Sequence, residues 1–495
     1  MSNRSRLLKF VLRIGLVLLL MVALGLAGLV YGWTKFSRSL SSLRGWQLQR
    51  PSSEFVAKNA GTAYTLDDYL KQEDRVFQEL ERLVSGPWAQ EIEGRYCRFS
   101  SDSVCNPARL LDRNWNRSFV LESPNPVGGA LLLHGLSDSP YSMRALGKKL
   151  HAAGYTVVGL RVPGHGTCPA ALAETSYRDW TAAVRVAAAG LRTRIPQGSP
   201  LILVGYSNGG ALSVNYAVDS LNDPALPRPN ALVLLSPMIG ISPLAEFSRF
   251  HRFIAWASGD RRANWSAVDA EIDPYKYGSW PMNASVQAWD MTQQVEGKLA
   301  ALQQAGRMAE LPPVLAFQSA IDSTVVVPRL VTVLFDRLTP NGSELVLYDV
   351  NRAGWLENLV KLGFEQKIVP LLQGTNSPFV LTVVANESVE STKVVARTRK
   401  EGARSERPLN VGWPTGVFSL SHVAVPFPPD DPVYGTEEAT RVTGLPLGSL
   451  RVQGEMGVLR ITDSQVLRLR HNPFFRFTEE HAIDWLERIL KQPSR

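Results

Sequence analysis

Between residues 128 and 237, short apolar runs of strand length alternate with segments of helical pattern, and one further run follows at 312–320. The runs lie at 128–135, 155–160, 200–207, 231–237 and 312–320. Strands that are apolar on both faces are typical of a parallel sheet covered by helices on both sides, because neither face meets water. The alternation therefore predicts an α/β fold with a mostly parallel central sheet.

The third run ends in Gly205-Tyr206-Ser207-Asn208-Gly209, directly after a strand-like LILV and directly before a helical segment. G-x-S-x-G is a common pattern, but this strand–turn–helix context is typical of a nucleophile elbow. The glycines leave room for a strained turn that lifts the Ser207 hydroxyl out at the head of the helix, where it can attack a carbonyl. Ser207 is therefore the predicted nucleophile, and the alternative is a serine in an ordinary Gly-flanked turn.

A nucleophilic serine needs N–H donors that hold the oxyanion of the intermediate. One is expected from Asn208, the residue after the nucleophile, and the other from the loop that follows an earlier strand. His134-Gly135-Leu136 lies at the end of the first run, so the Leu136 N–H is the second candidate. His134 is interpreted as a residue that shapes this loop.

The segments LLLHGLSDSP, RVPGHGTCP and GYSNGG follow one another in this order. Together they resemble the α/β-hydrolase superfamily, most nearly the monoacylglycerol-lipase and carboxylesterase-type members, which are similar to the S33 serine aminopeptidases. The resemblance covers 128–240 well and 312–350 and the C-terminus more loosely, whereas 1–115 and 351–412 have no counterpart in the minimal fold. It implies a Ser–Asp–His triad in that chain order, which hydrolyses esters or related acyl compounds without a metal or cofactor.

The resemblance places the acid after the strand that follows a cap insertion. Asp322 lies just past 312–320, before a predicted helix at 328–338, and is the predicted acid. An ordinary surface aspartate is the alternative for Asp322, and Asp349, at the end of ELVLYDV, is its nearest competitor.

The chain order implied by the resemblance leaves three of the seven histidines as the base, and His481 falls within the predicted C-terminal helix (477–491), so His422 and His471 are the candidates. His471 precedes the last helical segment by a few residues, as the base does in compact members of the superfamily. His422 lies where a strand-like run meets a Pro-rich loop, in SLSHVAVPFPPDDPVYG, which would hold an imidazole in place. His422 is the predicted base and His471 the alternative, although the insertion at 351–412 departs from the simpler pattern of the superfamily.

No HExxH, CxxC pair or clustered His and Asp of metal-ligand spacing occurs, so no metal is predicted. No P-loop or Rossmann glycine pattern follows a strand, so no nucleotide cofactor is predicted either. The predicted function is hydrolysis of a small-molecule or lipid ester through an acyl-enzyme. Amide or peptide hydrolysis on the same triad, and a non-catalytic binding protein on a hydrolase fold, are the alternatives.

The net charge of +8 lies entirely in the N-terminal tenth, because residues 1–50 hold eight Lys and Arg and no acidic residue, and the rest is balanced. Nucleic-acid binding is therefore not predicted. Residues 14–33 carry no charge, and as a helix they would reach about 30 Å, the thickness of a hydrocarbon core. This predicts a single-pass membrane anchor at 1–35. The basic residues on its two sides do not fix the orientation, and the body lies outside the cytoplasm if the N-terminus stays inside. A cleaved signal sequence and a buried core helix are the alternatives.

Cys97 and Cys105 are spaced for a short-loop disulfide, which would survive only in an oxidising compartment. Two unrelated free thiols are an equally good interpretation of this spacing.

The remaining boundaries follow from changes in composition. The predicted segments are an anchor (1–35), a linker with a helical extension (36–115), the first part of the core (116–240), a Trp-containing cap (241–311), the second part of the core (312–350), an insertion (351–412) and the C-terminal part of the core (413–495). The second insertion holds one strand-like run at 378–386 and a basic patch formed by Arg397, Arg399, Lys400, Arg404 and Arg407. Such a patch is typical of a solvated loop, and contact with anionic lipid headgroups is the alternative.

Overall fold

A computed structural model gives the fold of the chain. It describes residues 3–61, 63–92, 95–322, 324–354, 377–400, 403–449 and 467–491. The predicted insertion at 351–412 and the predicted C-terminal part at 413–495 therefore lie partly outside the described residues.

Ten of the described strands form one sheet, in the order β1-β3-β2-β4-β5-β8-β9-β10-β11-β12. The strands of this sheet are β1 (Phe119–Leu121), β2 (Gly128–Leu133), β3 (Tyr155–Leu160), β4 (Leu201–Tyr206), β5 (Ala231–Leu235), β8 (Val314–Ser319), β9 (Glu344–Tyr348), β10 (Val380–Asn386), β11 (Lys393–Lys400) and β12 (Ala403–Gly412). The run from β3 to β10 is parallel, and β1, β11 and β12 are antiparallel to their neighbours. Every residue of β2, β3, β4, β5, β8 and β9 is buried, as expected for strands covered on both faces.

Helices cover both faces of this sheet, so the predicted mostly parallel α/β architecture is confirmed. The described α-helices are α1 (Asn3–Ser39), α2 (Gly45–Leu48), α3 (Leu66–Ser85), α4 (Arg144–Ala152), α5 (Pro169–Leu172), α6 (Tyr177–Arg192), α7 (Asn208–Asn222), α8 (His251–Ser258), α9 (Met282–Gln304), α10 (Val327–Val333), α11 (Glu437–Thr440) and α12 (Phe475–Leu490). Trp180 of α6 and Leu212 of α7 belong to the core on one face, and Leu146 of α4 and Trp485 of α12 belong to the core on the other.

The segment between β5 and β8 carries α8, α9 and a small hairpin of β6 (Trp265–Ala267) and β7 (Trp280–Pro281). Because this segment leaves the sheet after β5 and returns at β8, it stands at the carboxyl edge of the strands. This is the position in which open α/β sheets bind their ligands.

The insertion at 351–412 is more closely joined to the core than the sequence indicates. Only one strand is predicted there, but β10, β11 and β12 all extend the central sheet beyond β9. The polar and charged residues of β11 and β12 hide these strands from a search for apolar runs, because most side chains of β12 are exposed. A further short pair, β13 (Val417–Ser419) and β14 (Leu467–Arg468), follows the insertion.

Residues 36–60 are packed against the core, which differs from the linker that their polar composition predicts. Trp46 and Phe55 are buried, and Glu54 forms a buried ion pair with Arg161 at the end of β3. The reason is that a few apolar side chains and one charge are buried among many polar neighbours. The average composition of such a mixed segment does not reveal the few residues that are buried.

Candidate active site

Ser207 occupies a strained turn between β4 and α7. Its backbone φ of 52° and ψ of −113° lie outside the regions that L-residues usually adopt. Glycine is required on both sides, since a Cβ at Gly209 would lie 2.0 Å from the Leu133 carbonyl oxygen and one at Gly205 would lie 2.3 Å from the Gly209 carbonyl oxygen. The turn therefore has the geometry of the nucleophile elbow that the motif predicts.

Two residues distant in sequence meet the hydroxyl of Ser207. His422 Nε2 lies 3.1 Å from Ser207 Oγ, and His422 Nδ1 lies 2.7 Å from Asp322 Oδ2. Because a carboxylate can only accept, Nδ1–H donates to Asp322, which leaves Nε2 free to accept the Ser207 proton. The structure thus brings together the three residues predicted as nucleophile, base and acid, and gives them the mutual distances that proton transfer from the serine requires.

The Asp322 carboxylate is buried and fully engaged. Oδ1 accepts the N–H groups of Thr324 and Val325 at 2.9 and 3.1 Å, and Oδ2 also accepts Gln318 Nε2 at 2.9 Å. Burial alone would raise the pKa of Asp322, but the charge of His422 and these hydrogen bonds outweigh burial, so its pKa lies below the ordinary value. The group is therefore ionised at neutral pH and can orient the imidazole.

The competing candidates have other partners. Asp349 binds Arg352, whose Nε lies 2.7 Å from Asp349 Oδ2. His471 is buried, and its Nδ1 lies 3.3 Å from the backbone carbonyl of Tyr434. Neither residue is brought to Ser207.

The two predicted oxyanion donors lie at the two sides of the elbow. Asn208 is the first residue of α7, so its N–H is one of those that have no acceptor within the helix. Leu136 follows β2, and the next residue, Ser137, has a φ of 62° that turns the chain. His134 Nε2 accepts the Val162 N–H at 3.0 Å, which joins this loop to the one after β3. That contact agrees with a loop-shaping role for His134.

The sequence did not reveal the contacts between the Leu136 loop and the cap. Asp138 is buried, and Lys276 of the cap donates to its Oδ2 at 3.2 Å. The neighbouring Tyr277 N–H donates to the Ser137 carbonyl at 2.9 Å. The pairing joins positions 138 residues apart, so no local pattern could reveal it. The only signal available was an aspartate next to the oxyanion loop.

No group of three or more His, Cys, Asp or Glu side chains suited to a metal occurs in the part of the chain that the structure describes. The three cysteines are free and buried, Cys97 and Cys105 included.

His165, in the loop after β3, supports a pH prediction. It is fully buried, and burial lowers its pKa from 6.5 to about 4. The unfolded chain binds a proton near pH 6.5 that the folded chain does not, so stability is complete above pH 6.5 and is lost as the pH falls toward 4. We expect this residue to remove about 2 kcal/mol from the free energy of unfolding between pH 8 and pH 5.

The measurement is urea unfolding of the full chain in detergent at both pH values. His165→Gln should reduce the difference in the free energy of unfolding between pH 8 and pH 5 by this amount. The stability of the variant itself does not matter, because each protein is compared with itself at the two pH values. The same difference in both proteins would contradict the prediction.

A strained serine turn between β4 and α7, on a mostly parallel sheet covered by helices on both faces, is typical of the α/β-hydrolase fold. The predicted fold class is confirmed. Residues 124–350 match the family described as serine aminopeptidase, S33. The match contains β2 to β9, with the elbow and Asp322, and ends before His422.

Several individual proteins are similar to parts of this chain. A thermostable monoacylglycerol lipase of Bacillus sp. (strain H-257) is 38% identical over 92 residues, which are 19% of this chain and 35% of that protein. The chain thus spans about a third of the length of this curated relative. Among solved structures, the monoacylglycerol lipase of Paleococcus ferrophilus is 19% identical, covering 47% of this chain and 89% of that one with a TM-score of 0.36. A soluble variant of the Saccharomyces cerevisiae monoglyceride lipase is 17% identical, covering 47% and 82% with a TM-score of 0.34. The resemblance predicted from the sequence motifs is confirmed by the family match and the Bacillus relative.

Proposed function

We propose that this chain is a membrane-anchored serine hydrolase that cleaves carboxylic esters, in particular lipid-derived ones. The observation that carries the proposal is the continuous hydrogen-bond path from Ser207 Oγ through His422 to Asp322. A non-catalytic binding protein would have no need of a buried, ionised carboxylate that orients an imidazole toward a strained serine.

The steps follow from this arrangement. His422 removes the Ser207 proton as Oγ attacks the acyl carbon, and Asp322 stabilises the imidazolium that forms. The Leu136 and Asn208 N–H groups hold the oxyanion of the tetrahedral intermediate. His422 then protonates the leaving alcohol, and the acyl-enzyme is hydrolysed by a water that gives its proton to the same imidazole.

A cavity of about 380 Å³ supports an acyl chain as the part of the substrate that is bound. Its apolar lining residues include Ile239, Ile241, Trp289 and Val326, and its polar ones are Thr292, Gln293, Glu296 and Arg329. Ile239 follows Met238, whose N–H donates to the Ser207 carbonyl, and Val326 follows Val325, whose N–H donates to Asp322. The cavity is therefore lined by residues that follow the neighbours of Ser207 and Asp322, and none of the three triad residues lines it. Its volume is in the range that small-molecule sites use.

Anchoring is supported by α1, in which Phe10–Ser39 is long and apolar enough to cross a membrane. A signal sequence meets the same criterion. We favour a retained anchor because the C-terminal end of α1 is packed on the cap, where the Trp33 indole donates to the Ala263 carbonyl at 3.2 Å. A cleaved signal would have no reason to form that contact. The catalytic body is proposed to lie outside the cytoplasm.

The test is a comparison of acyl donors on the full chain in detergent. We expect turnover of monoacylglycerols and p-nitrophenyl acyl esters, and little turnover of aminoacyl p-nitroanilides. The family described as serine aminopeptidase makes the amide reaction the second candidate. Faster cleavage of the anilides than of the esters would replace the ester proposal by that one. Turnover of neither class by a folded chain would favour the binding protein.

A further inference from the structure

The C-terminal end of α1 is built into the cap. One side of this end of α1 is less exposed than the rest of the helix. Its residues recur at helical spacing and are Val30, Trp33, Thr34 and Ser37. Ser37 is completely buried. The helix packs against α8 and against the 3₁₀ turn Arg261–Asn264. The cap therefore sits directly where the apolar part of α1 ends.

Arg262 fixes the same junction through the backbone. Its guanidinium donates to the Arg38 carbonyl at 3.3 Å and to the Leu40 carbonyl at 3.2 Å, which are near the end of α1. Asp260 holds the guanidinium from the other side, with Oδ2 2.9 Å from Nη2. A membrane-spanning α1 would consequently hold the cap at a fixed orientation against the bilayer surface.

The cap exposes a row of four large aromatic side chains beside this junction, which we call the cap aromatic face. Phe247, Phe250, Phe253 and Trp256 are 54%, 52%, 56% and 78% exposed. They are spaced by three residues, from the end of the 3₁₀ helix Pro243–Phe250 through α8, and therefore lie on the outer side of this segment.

The opposite side of the segment faces the protein. Ser248, His251 and Ile254 are buried between the aromatic positions. Arg252, next to the aromatic residues, is exposed, whereas the neighbouring Arg249 pairs with Asp290 of α9. Exposed Phe and Trp with a neighbouring Arg on one amphipathic segment is typical of helices that lie in the interface of a membrane, where the rings enter the acyl boundary and the cation meets anionic headgroups.

We propose that the cap aromatic face inserts into the headgroup–acyl boundary of the same bilayer that α1 crosses. The proposal rests on the anchoring proposed above. A phospholipid surface is favoured as the occupant because the face is continuous with the anchor, through the contacts of α8 and Arg262. A protein partner would have to compete with lipid for a surface that α1 already holds at the membrane.

The position of the cavity indicates how a lipid substrate would reach it from the cap aromatic face. Pro243 lines the cavity and is also the first residue of the 3₁₀ helix that carries Phe247 and Phe250. An acyl lipid in the bilayer would thus enter beside the cap aromatic face. The site would take substrates from the membrane, with the polar headgroup of the lipid left at its surface.

The test uses the full chain with a single environment-sensitive label. Phe253→Cys carries an NBD fluorophore, and the three native thiols, all buried, give little background labelling. Val127→Cys is the matched control, because Val127 is 54% exposed but precedes β2, at the edge of the sheet opposite to the cap. Both proteins are reconstituted into phosphatidylcholine–phosphatidylglycerol vesicles with and without a lipid that carries a quencher near the headgroup, and are floated on a density gradient.

We expect both proteins to float, with blue-shifted and quenched emission from position 253 and aqueous, unquenched emission from 127. Flotation with an aqueous label at 253 would overturn the cap proposal and leave the anchor standing. Quenching at both positions would also overturn it, because the contact would then not be specific to the cap. Failure to float would overturn the anchor and the cap proposal together.

A second variant separates lipid contact from folding. Phe250→Gln, Phe253→Gln and Trp256→Gln combined should lower hydrolysis of vesicle-embedded monoacylglycerol several-fold and leave hydrolysis of a soluble p-nitrophenyl ester unchanged. An equal loss on both substrates, or no loss on either, would contradict uptake of substrate at this face.

Discussion

Replacing Ser207 with alanine is expected to lower kcat for ester hydrolysis by a factor on the order of 10⁶, and His422→Ala by a similar factor. The physical reason is that the two residues act as one unit. The hydroxyl is a weak nucleophile until the imidazole takes its proton, and the imidazole has no substrate to act on without the hydroxyl. His422 Nε2, 3.1 Å from Ser207 Oγ, is in place for this transfer.

His471→Ala is the matched control, since it removes the other histidine that the sequence offers as a candidate base. Its imidazole contacts the Tyr434 carbonyl and should affect stability more than kcat. The measurement is p-nitrophenyl ester turnover on the full chain, together with labelling by a fluorophosphonate probe. We expect the parent and His471→Ala to label, and Ser207→Ala to remain unlabelled. Loss of turnover in His471→Ala, with activity kept in His422→Ala, would show that the base is misassigned.

The choice between these two histidines illustrates what the sequence could and could not predict. Both lie three residues beyond the end of a short strand, His422 after β13 and His471 after β14, and these two strands are paired in parallel. Spacing from a strand therefore does not distinguish the two histidines. The Pro-rich loop after His422 is the local difference that favours it, and the contact with Ser207 depends on the three-dimensional course of the chain, which spacing does not give.

The elbow was predictable because its chemistry is local. Strand, turn and helix are contiguous around Ser207, and both glycines that the turn requires lie within five consecutive residues. The contact between Lys276 and Asp138 and the exposed strand β12 were not predictable in this way. The first depends on a distant segment, and the second lacks the apolar pattern by which a strand is recognised.

The second large effect is expected at Arg161, whose side chain is almost completely buried between two carboxylates. Nη1 and Nη2 each lie 2.9 Å from an oxygen of Glu54, and Nε lies 3.0 Å from Glu73 Oε2. Burial raises the pKa of Glu73, whereas the charge and hydrogen bonds of Arg161 outweigh burial at Glu54 and lower its pKa. One cation therefore serves two buried carboxyl groups.

Arg161→Met is expected to lower the free energy of unfolding by about 3–5 kcal/mol, because it leaves buried carboxylates without their cation. The measurement is urea unfolding of the full chain in detergent. Arg50→Met is the matched control, since Arg50 pairs with Glu174 at a far more exposed site and should cost less than about 1 kcal/mol. Adding Glu54→Gln and Glu73→Gln to Arg161→Met should recover much of the loss. Equal losses in the two single variants would contradict a structural role for the buried cluster.

The location of this cluster of Arg161, Glu54 and Glu73 links it to catalysis as well as to stability. Glu54 and Glu73 belong to the segment before the sheet, which has no counterpart in the minimal fold, whereas Arg161 begins the loop that leads to His165. Arg161 Nη1 also donates to the His165 carbonyl at 3.0 Å, and the His165 ring lies 4.9 Å from that of His134 at the oxyanion loop. The N-terminal extension thus reaches the predicted oxyanion site through one buried cation. For this reason Arg161→Met should lower kcat as well as stability, and Arg50→Met should leave kcat unchanged.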